Sequence, residues 1–590
     1  PRPAGDAPRQ HPAIGHDRVS SHRGYPIGGR GCAQPPLPRR VVSDHERVAV
    51  PRLVCRQGPP DFESGLATQV RLLPGEPPPA HDVAEEIHLS GPTQASVTAV
   101  IVLAAGGGTR MKSRKSKLLH AVAGRPMLSY AVDAARELNP DRLVVVVGHL
   151  REQVEAHLAE CAPQCTIVEQ PVRNGTGGAV ACGMGILGEV EGEVVVTYGD
   201  VPMLTGQTLA GLVAEHRTAM NACTVLTAMV PDPAGYGRIV REGGEVARIV
   251  EHRDATENER RINEINSGIY VFDSRVLRDG LASLRPDNAQ GELYLTDVLG
   301  YAREQGRRVG AFTTDDLWQT EGVNDRVQLA RIGAEMNRRL CEKWMLAGVT
   351  IVDPATTWIE HGVDLAEDVT VLPNTQLLGA TSVEVGATIG PDTTLRDVEV
   401  GADAVVQRTH GELAVIGARA TVGPFSRLRP GTVLGEGGKI GSFVETKNAQ
   451  IGAGSKVPHL TYCGDAVLGE GVNVGAGTIF ANYDGIGKFT THLGDQVFVG
   501  SNSVLVAPVD VGDGAFVAAG SAVVYDVPPG ALAVARGREH IAPDWVADRR
   551  PGTPAARAAA AAGGQPHPEV VASRARQSAW QAALRDQGQQ

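Results

Sequence analysis

An apolar residue recurs at every sixth position through much of the C-terminal half of the chain, and a small residue usually follows it. The two clearest runs are Ile416, Val422, Leu428, Leu434, Ile440 and Leu493, Val499, Leu505, Val511, Val517, Val523. This spacing matches neither the 3.6-residue period of a helix nor the alternation of a half-buried strand. It predicts a parallel β-helix over residues 349–545, in which each hexad forms one short side of a three-sided coil and points its aliphatic residue inward. The hexads look interrupted at residues 445–462 and 479–489, where polar residues collect. We expect loops there, because loops on a rigid scaffold commonly carry a site.

Residues 97–324 have a different pattern, in which short apolar runs alternate with amphipathic stretches. The runs at 100–104 and 143–147 suit buried parallel strands, and residues 151–160 suit a helix between strands. Residues 325–348 have a helical pattern and should link the two parts. The predicted fold class is therefore α/β plus all-β, with a Rossmann-like N-terminal domain, a linking helix and a C-terminal β-helix.

The two ends of the chain lack such periodicity. The first 96 residues contain 16 of the 38 prolines and no Met, and this composition offers little apolar surface to offset chain entropy. We expect residues 1–96 to be disordered, or to be a misassigned extension with the true start at Val97. The segment 546–590, rich in Ala, Arg and Gln, is expected to be a flexible tail.

Charge and cysteine usage exclude several classes of protein. The net charge is −11, with 67 acidic and 56 basic residues, which argues against a protein that neutralises a nucleic-acid backbone. No apolar run is long enough to cross a bilayer. The eight cysteines form neither a disulfide framework nor a zinc motif, so we expect a cytoplasmic protein without nucleic-acid or membrane partners.

A glycine-rich turn follows the first predicted strand. Gly106, Gly107 and Gly108 are followed by Arg110 and, seven residues later, by Lys117. Such a turn lets backbone amides approach a polyphosphate, and the two cations can offset the charge of a transferring phosphoryl group. The spacing fits neither a Walker loop nor a dinucleotide-binding fingerprint.

Together with its neighbours this turn resembles the signature of the sugar nucleotidyltransferases. The matching segments are L-A-A-G-G-G-T-R-M at 103–111, S-K-L-L-H at 116–120, N-G-T-G at 174–177, Y-G-D-V-P at 198–202, G-Y-G-R at 235–238, E-I-N-S-G at 264–268 and E-G-V-N at 321–324. With the hexads, they resemble the bifunctional family of N-acetylglucosamine-1-phosphate uridylyltransferases and glucosamine-1-phosphate N-acetyltransferases. The resemblance covers about residues 97–545 and implies a left-handed β-helix.

The resemblance implies a uridylyltransferase site in the first domain. Asp200 ends an apolar strand and is expected to hold Mg²⁺ with Asn324, while Lys117 and Arg110 act on the phosphates. Gln170 offers a donor and an acceptor to the edge of uracil. The implied substrate contacts are Leu103, Ala104, Gly106, Gly108, Lys117, Gln170, Gly175, Thr176, Tyr198, Gly237, Glu251, Asn266 and Asn324.

The resemblance also implies an acetyltransferase site in the β-helix. His459, in G-S-K-V-P-H-L-T-Y at 454–462, is expected to be the general base for an amine, with Glu445 orienting its ring. Asn482, with Ser501 from a neighbouring subunit, is expected to stabilise the oxyanion. The implied sugar-phosphate contacts are Arg429, Lys447, Tyr462, Asn473 and Asn482, and the implied acetyl-coenzyme A contacts are Ala476, Tyr483, Ser501, Ala519 and Arg536.

The function that follows is a two-step synthesis of a cell-wall precursor. Glucosamine 1-phosphate is acetylated with acetyl-coenzyme A, and N-acetylglucosamine 1-phosphate then reacts with UTP to give UDP-N-acetylglucosamine and pyrophosphate. A homotrimer is expected, because threefold closure would place one subunit's loops beside another's coil. Two alternatives stay open: a nucleotidyltransferase with a regulatory β-helix, which would release no thiol, and a non-catalytic scaffold built from the same folds.

One position departs from the family pattern. The family usually has proline before the lysine of the first loop, whereas this chain has Ser116. Losing that ring should loosen the loop without removing a charge, so we expect weaker preorganisation rather than lost activity.

Overall fold

The computed structural model describes residues 96–537, 539–563, 571–572, 574–576 and 578–579. The predicted N-terminal extension, apart from its last residue, lies outside these ranges. The described residues belong to one compact unit, Leu89–Gln590.

The first part of this unit is a mixed nine-stranded sheet with helices on both faces, together with a separate two-stranded sheet made of its second and third strands. Its strands are β1 (Ala99–Ala104), β2 (Ala121–Val122), β3 (Arg125–Pro126), β4 (Arg142–Val147), β5 (Thr166–Glu169), β6 (Glu193–Tyr198), β7 (Cys223–Met229), β8 (Gly237–Glu242), β9 (Glu245–Val250), β10 (Glu264–Asp273) and β11 (Val309–Thr313). Its helices are α1 (Met127–Arg136), α2 (Arg151–Cys161), α3 (Thr176–Leu187), α4 (Gly206–Thr218), α5 (Glu257–Arg260), α6 (Ser274–Ser283) and α7 (Asp297–Glu304), with short 3-10 helices at Thr109–Met111, Lys117–Leu119 and Leu317–Thr320.

The order of this sheet explains where a ligand can bind. The strands run β11-β7-β10-β6-β1-β4-β5, and the hairpin β8–β9 is attached to β10. Strands β6, β1, β4 and β5 are mutually parallel, and for β1 and β4 this was predicted from their continuous apolar runs. Their carboxyl ends therefore meet at one edge, which is where ligands bind in open α/β sheets. The glycine-rich turn, Gln170 and Asp200 all lie at or just beyond this edge.

A long helix, α8 (Arg326–Leu346), joins the sheet domain to the coil, as predicted. Asp325 caps its N-terminus by accepting from the backbone amides of Val327 and Gln328, each at 2.9 Å. Asn337 on this helix donates to the carbonyl of Thr357 and accepts from the amide of Ile359, each at 2.8 Å. These paired bonds fix the first coil against the linking helix.

The second part is built from short strands that pair only in parallel. They are β12 (Thr350–Ile351), β13 (Trp358–Ile359), β14 (Asp364–Leu365), β15 (Thr370–Val371), β16 (Gln376–Leu378), β17 (Ser382–Val383), β18 (Thr388–Ile389), β19 (Thr394–Val400), β20 (Val405–Val406), β21 (Thr409–Ile416), β22 (Thr421–Val422), β23 (Ser426–Leu428), β24 (Thr432–Leu434), β25 (Lys439–Ser442), β26 (Glu445–Ile451), β27 (Lys456–His459), β28 (Tyr462–Leu468), β29 (Asn473–Val474), β30 (Ile479–Ala481), β31 (Thr491–Leu493), β32 (Phe498–Val499), β33 (Val504–Val506), β34 (Val509–Val511), β35 (Phe516–Val517), β36 (Ala522–Val523) and β37 (Leu532–Ala533).

These strands stack into three ladders, one for each side of a coil. The first side consists of β12, β15, β18, β20, β22, β25, β27, β29, β32, β35 and β37. Longer strands such as β19 and β26 turn a corner and belong to both of the other sides. Thr421 pairs with Lys439, so one turn takes 439 − 421 = 18 residues, or three hexads. The predicted parallel β-helix is therefore confirmed.

The hexad residues named from sequence form the interior of this coil. All eleven are at most 4% exposed, and they belong to one continuous core that runs from Cys341 to Val527. The predicted interruption at 445–462 was wrong: β26 and β27 continue the coil, with Ala449, Ile451 and Val457 as core residues. The hexad pattern was missed there because the inward position after Ile440 is the polar Thr446, and the next large aliphatic core residue, Ile451, follows after five residues instead of six. Between β30 and β31 residues 482–490 do leave the coil, as expected.

Beyond the coil, the predicted tail contains two short helices, α9 (Trp545–Arg549) and α10 (Pro554–Ala561), neither of which buries a residue. Within the described ranges, no helix has the length and apolar character needed to span a membrane.

Candidate active sites

A cleft of about 330 Å³ opens at the carboxyl edge of the sheet. Most of the residues predicted to bind the nucleotide line it together: Leu103, Ala104, Gly106, Lys117, Gln170, Gly175, Thr176, Tyr198 and Asp200. They come from the ends of β1, β5 and β6 and from the start of α3, so parallel strand order brings distant segments into one site. Arg110 is exposed and does not line this cleft.

One lysine joins the two predicted metal ligands at the base of the cleft. The Nζ atom of Lys117 donates to Oδ2 of Asp200 and, at 3.3 Å, to Oδ1 of Asn324. Asp200 is fixed by its backbone carbonyl, which accepts from the amide of Val323 at 2.9 Å. Asp200 and Asn324 thus each place a side-chain oxygen beside the ammonium of Lys117. Carboxylate and amide oxygens are ligands that suit Mg²⁺. The residues therefore fit the ion, although the described residues include no cluster of three or more His, Cys, Asp or Glu.

The glycine-rich turn is shaped to let the lysine enter the cleft. Gly108 has φ +57°, and a Cβ atom there would lie 2.8 Å from the Cβ of Lys117. A larger residue would therefore push the lysine away, while Gly106 faces open space. The backbone amides of the turn can then approach a phosphate.

Gln170 is held rigidly at the other side of the cleft. Its backbone amide donates to the carbonyl of Val147 at 2.8 Å, which continues the pairing of β4 with β5. Its side-chain Nε2 donates to the carbonyl of Gly175 at 3.1 Å and to Oδ1 of Asn174 at 3.2 Å. The amide plane is thus fixed before a base arrives, which favours selective recognition.

The predicted amino-sugar contacts lie beside the cleft. A Cβ atom on Gly237 would lie 3.2 Å from Oε1 of Glu251 and 3.3 Å from the Cβ of Asn266, so these three residues adjoin. Oδ1 of Asn266 accepts from the hydroxyl of Tyr270 at 2.9 Å. Burial, with the nearby charges of Asp254 and Asp297, raises the pKa of Glu251.

Tyr198 lies between the predicted amino-sugar contacts and the cleft. Burial raises the pKa of Tyr198, and the negative charges of Asp200 and Glu251 raise it further. A Cβ atom on Gly268 would lie only 2.6 Å from the ring of Tyr198. Tyr198 thus lines the cleft with Asp200 and packs against Gly268, two residues after Asn266.

Two charged residues of the cleft were missed from the sequence, Arg173 and Glu292. The guanidinium of Arg173 lies 2.8 Å from where a Cβ on Gly107 would be, so it stands over the glycine-rich turn. Its position between Gln170 and N-G-T-G was an available signal, because a cation between two nucleotide-binding segments is well placed for phosphate.

In the coil, the predicted general base and three acetyl-coenzyme A contacts lie in one column along a corner. The backbone carbonyl of His459 accepts from the backbone amide of Gly477 at 3.1 Å. In the same way, the carbonyl of Ala476 accepts from the amide of Asn502 at 2.8 Å, and the carbonyl of Ser501 accepts from the amide of Gly520 at 2.8 Å. Arg536 continues the column by donating from Nη1 to the carbonyl of Ala519 at 3.0 Å. His459, Ala476, Ser501 and Ala519 thus lie on consecutive coils.

A buried carboxylate organises the neighbouring side of the coil. Asp465 accepts from Nζ of Lys447 at 3.0 and 3.1 Å, from Nδ2 of Asn448 at 3.0 Å and from Nδ2 of Asn482 at 2.5 Å. Burial raises its pKa, but the hydrogen bonds from Asn448, Lys447 and Asn482 outweigh this effect and the pKa is lowered. Asp465 was missed because a single Asp after glycine in a strand carries no recognisable motif.

Not every predicted contact of this site is made within one chain. Oε1 of Glu445 accepts from Nη1 of Arg429 at 3.0 Å. The described contacts contain no hydrogen bond between His459 and Glu445, so within one chain Glu445 does not orient the ring as predicted. Asn482 donates to the hydroxyl of Tyr462 at 3.3 Å, which joins these two predicted residues. The remaining two, Asn473 on the first side of the coil and Tyr483 in the loop that leaves it, are separate from this network; the hydroxyl of Tyr483 donates to the carbonyl of Gly485 at 2.7 Å.

Comparisons with known proteins agree with this architecture. A family model described as "MobA-like NTP transferase domain" matches residues 100–262. A protein of Pseudarthrobacter chlorophenolicus named "Bifunctional protein GlmU" is 57% identical over 475 residues, covering 80% of this chain and 96% of the relative. Proteins of the same name from Rhodococcus opacus (56% over 479 residues; 80% and 95% covered) and Streptomyces avermitilis (54% over 474 residues; 80% and 98% covered) are also similar. The chain therefore belongs to the bifunctional GlmU family and is an enzyme with uridylyltransferase and acetyltransferase activities.

Proposed function

We propose that each activity belongs to one part of the chain. Uridylyl transfer to N-acetylglucosamine 1-phosphate takes place in a domain of residues 97–324, and acetylation of glucosamine 1-phosphate in a domain of residues 349–545, with 325–348 between them. The observation that carries the proposal is the contact of Lys117 with Asp200 and Asn324 at the base of the cleft. It joins a phosphate-binding cation to oxygen ligands at the edge of the sheet where nucleotides bind.

For uridylyl transfer, the chain mainly positions two phosphates. A phosphate oxygen of the sugar attacks the α-phosphorus of UTP in line, the bond to the β-phosphate oxygen breaks, and pyrophosphate leaves. Lys117 and Arg173 offset the negative charge that develops, and the amides of the glycine-rich turn bind the leaving group. Mg²⁺ held by Asp200 and Asn324 would supply further neutralisation of the phosphate oxygens.

For acetyl transfer, a proton must leave the attacking amine. His459 accepts this proton as the nitrogen attacks the thioester carbonyl, and the carbon–sulfur bond then breaks to release coenzyme A. Asp465 holds Lys447 and Asn482 in place, so that the lysine faces the sugar phosphate. To donate to the oxyanion, the amide of Asn482 would exchange its 3.3 Å contact with the hydroxyl of Tyr462. Ala476, Ser501, Ala519 and Arg536 receive the cofactor along the corner of the coil.

The homotrimer is supported by an exposed apolar column beside His459. Phe425 and Phe443 stack with ring centroids 5.2 Å apart, and Leu460 follows on the next coil. These side chains are 54%, 60% and 62% exposed in the single chain. Apolar groups so aligned are expected to be covered by another copy, and closed threefold symmetry would then bring Ser501 of a neighbouring subunit to His459.

We therefore expect Phe443→Glu to dissociate the trimer and lower acetyl transfer, because a buried unpaired carboxylate opposes association. Uridylyl transfer should continue, since its site lies within one chain. Light scattering after gel filtration measures the assembly. Val385→Glu, at an exposed position on an earlier coil, is the control and should remain trimeric. A trimeric Phe443→Glu protein would contradict the assignment of this surface.

Assaying both products in one purified sample tests the proposed function. Chelation with EDTA should stop the release of pyrophosphate from UTP and N-acetylglucosamine 1-phosphate, and added Mg²⁺ should restore it. Thiol release from acetyl-coenzyme A and glucosamine 1-phosphate should continue in EDTA. Pyrophosphate release that persists without a divalent cation would rule out the metal role of Asp200 and Asn324.

A further inference from the structure

The loop that carries Lys117 is held by one side chain from another element. Gln153, in α2, accepts from the backbone amide of Ser116 through Oε1 at 2.9 Å and donates through Nε2 to the carbonyl of Arg114 at 3.0 Å. The side-chain amide of Gln153 thus bonds both a backbone donor and a backbone acceptor across three consecutive loop residues. Among the described contacts, no other side chain from outside the loop bonds residues 113–116.

The backbone at Ser116 has the shape that a proline would impose. Its φ is −53° and its ψ is 140°, within the range that a proline ring allows. Proline there would restrict the backbone and remove the amide hydrogen. This chain keeps that hydrogen at a position that is only 5% exposed, where an unpaired amide would be costly. Gln153 supplies the acceptor.

We propose that Gln153 is a positioning residue for uridylyl transfer, whose amide replaces the restriction that proline would give the loop and so holds Lys117 toward Asp200. The looser loop that we expected from Ser116 is thereby offset by a contact from a different element. The proposal rests on the proposed role of Lys117.

The expected effect follows from where Lys117 acts. Its ammonium reaches Asp200 and Asn324 from the first residue of a 3-10 helix, directly after the bonded amide of Ser116. If the amide of Ser116 lost its hydrogen bond to Gln153, the loop would move more freely and the ammonium of Lys117 would occupy several positions. Because the charge it offsets is greatest in the transition state, kcat should fall more than the KM for UTP rises.

A double-mutant cycle tests this proposal. Gln153→Ala should lower kcat for uridylyl transfer about tenfold. Ser116→Pro removes the amide that needs the acceptor and restores the restriction, so in that background Gln153→Ala should cost about twofold or less. Acetyl transfer and the melting temperature serve as controls for folding in every variant. Glu152→Ala, the exposed neighbour on α2, controls for substitution in this helix.

The possible failures are distinguishable. An equal loss from Gln153→Ala in both backgrounds, or no loss in either, would overturn the positioning role. A larger effect on KM than on kcat would also overturn it. Lys117→Ala should lower uridylyl transfer by about 100-fold or more; if it keeps full activity, the proposed role of the lysine fails, and the proposal about Gln153 fails with it.

Discussion

Asp200→Ala is expected to lower uridylyl transfer by about 100-fold or more, because metal-ion catalysis is worth several kcal/mol and each ~1.4 kcal/mol is a factor of ten. The change removes one of the two proposed oxygen ligands and also the carboxylate that pairs with Lys117. Both side chains of this pair are largely buried, so the lysine is left with only the amide oxygen of Asn324. Pyrophosphate release measures the effect.

The same sample provides the control for Asp200→Ala. Acetyl transfer should be retained, because the network around Asp465 and the corner at His459 share no contact with Asp200. Asp279→Ala, at an exposed position on α6, should leave both activities intact. Loss of thiol release in the Asp200 variant would argue against two separate sites.

His459→Ala is expected to have the opposite selectivity. Acetyl transfer should fall about 100- to 10,000-fold, the range that a positioned general base contributes. Uridylyl transfer should be unaffected, because the substitution removes an exposed ring from the coil and leaves its core intact. Thiol release from acetyl-coenzyme A gives the rate, and pyrophosphate release from the same preparation shows that the chain is folded.

A second histidine on the coil serves as the matched control for His459→Ala. His410 lies exposed on β21, away from the corner column, and its replacement by Ala should change neither activity. If His459→Ala retains acetyl transfer, another group accepts the proton, and the proposed mechanism is wrong. The bifunctional reading itself would survive that outcome, since it rests on family membership.

Much of the fold could be predicted because its buried positions recur at a fixed interval along the chain. The six-residue interval between aliphatic residues directly reports a coil of three six-residue sides, and Val499, Leu505 and Val511 are all buried as expected. The parallel strands were visible as continuous apolar runs such as residues 143–147, which lie within β4. Regularity of this kind survives in a sequence because each repeat must fill the same space.

The parts that could not be predicted depend on residues far apart in sequence. Gln153 holds Ser116 across 37 positions, and Arg173 stands over a turn that lies more than 60 residues earlier. Asp465 owes its role to a chain path that stacks it near Lys447 and Asn482. No local pattern marks Gln153 or Asp465, since their neighbours in sequence do not include their partners, whereas Arg173 had a signal in the nucleotide-binding segments that flank it.

The corner column has a consequence for the length of the molecule that it receives. Adjacent coils are ~4.8 Å apart, the usual distance between paired strands, so the four steps from His459 to the coil of Arg536 cover roughly 19 Å. The proposed reaction point at His459 and the proposed cofactor contact at Arg536 are thus separated by a whole number of strand spacings, which backbone pairing fixes. On the proposed assignment, a thioester with a markedly shorter arm would reach only one of these two residues, so the spacing of the coils would set the length of the cofactor that can react.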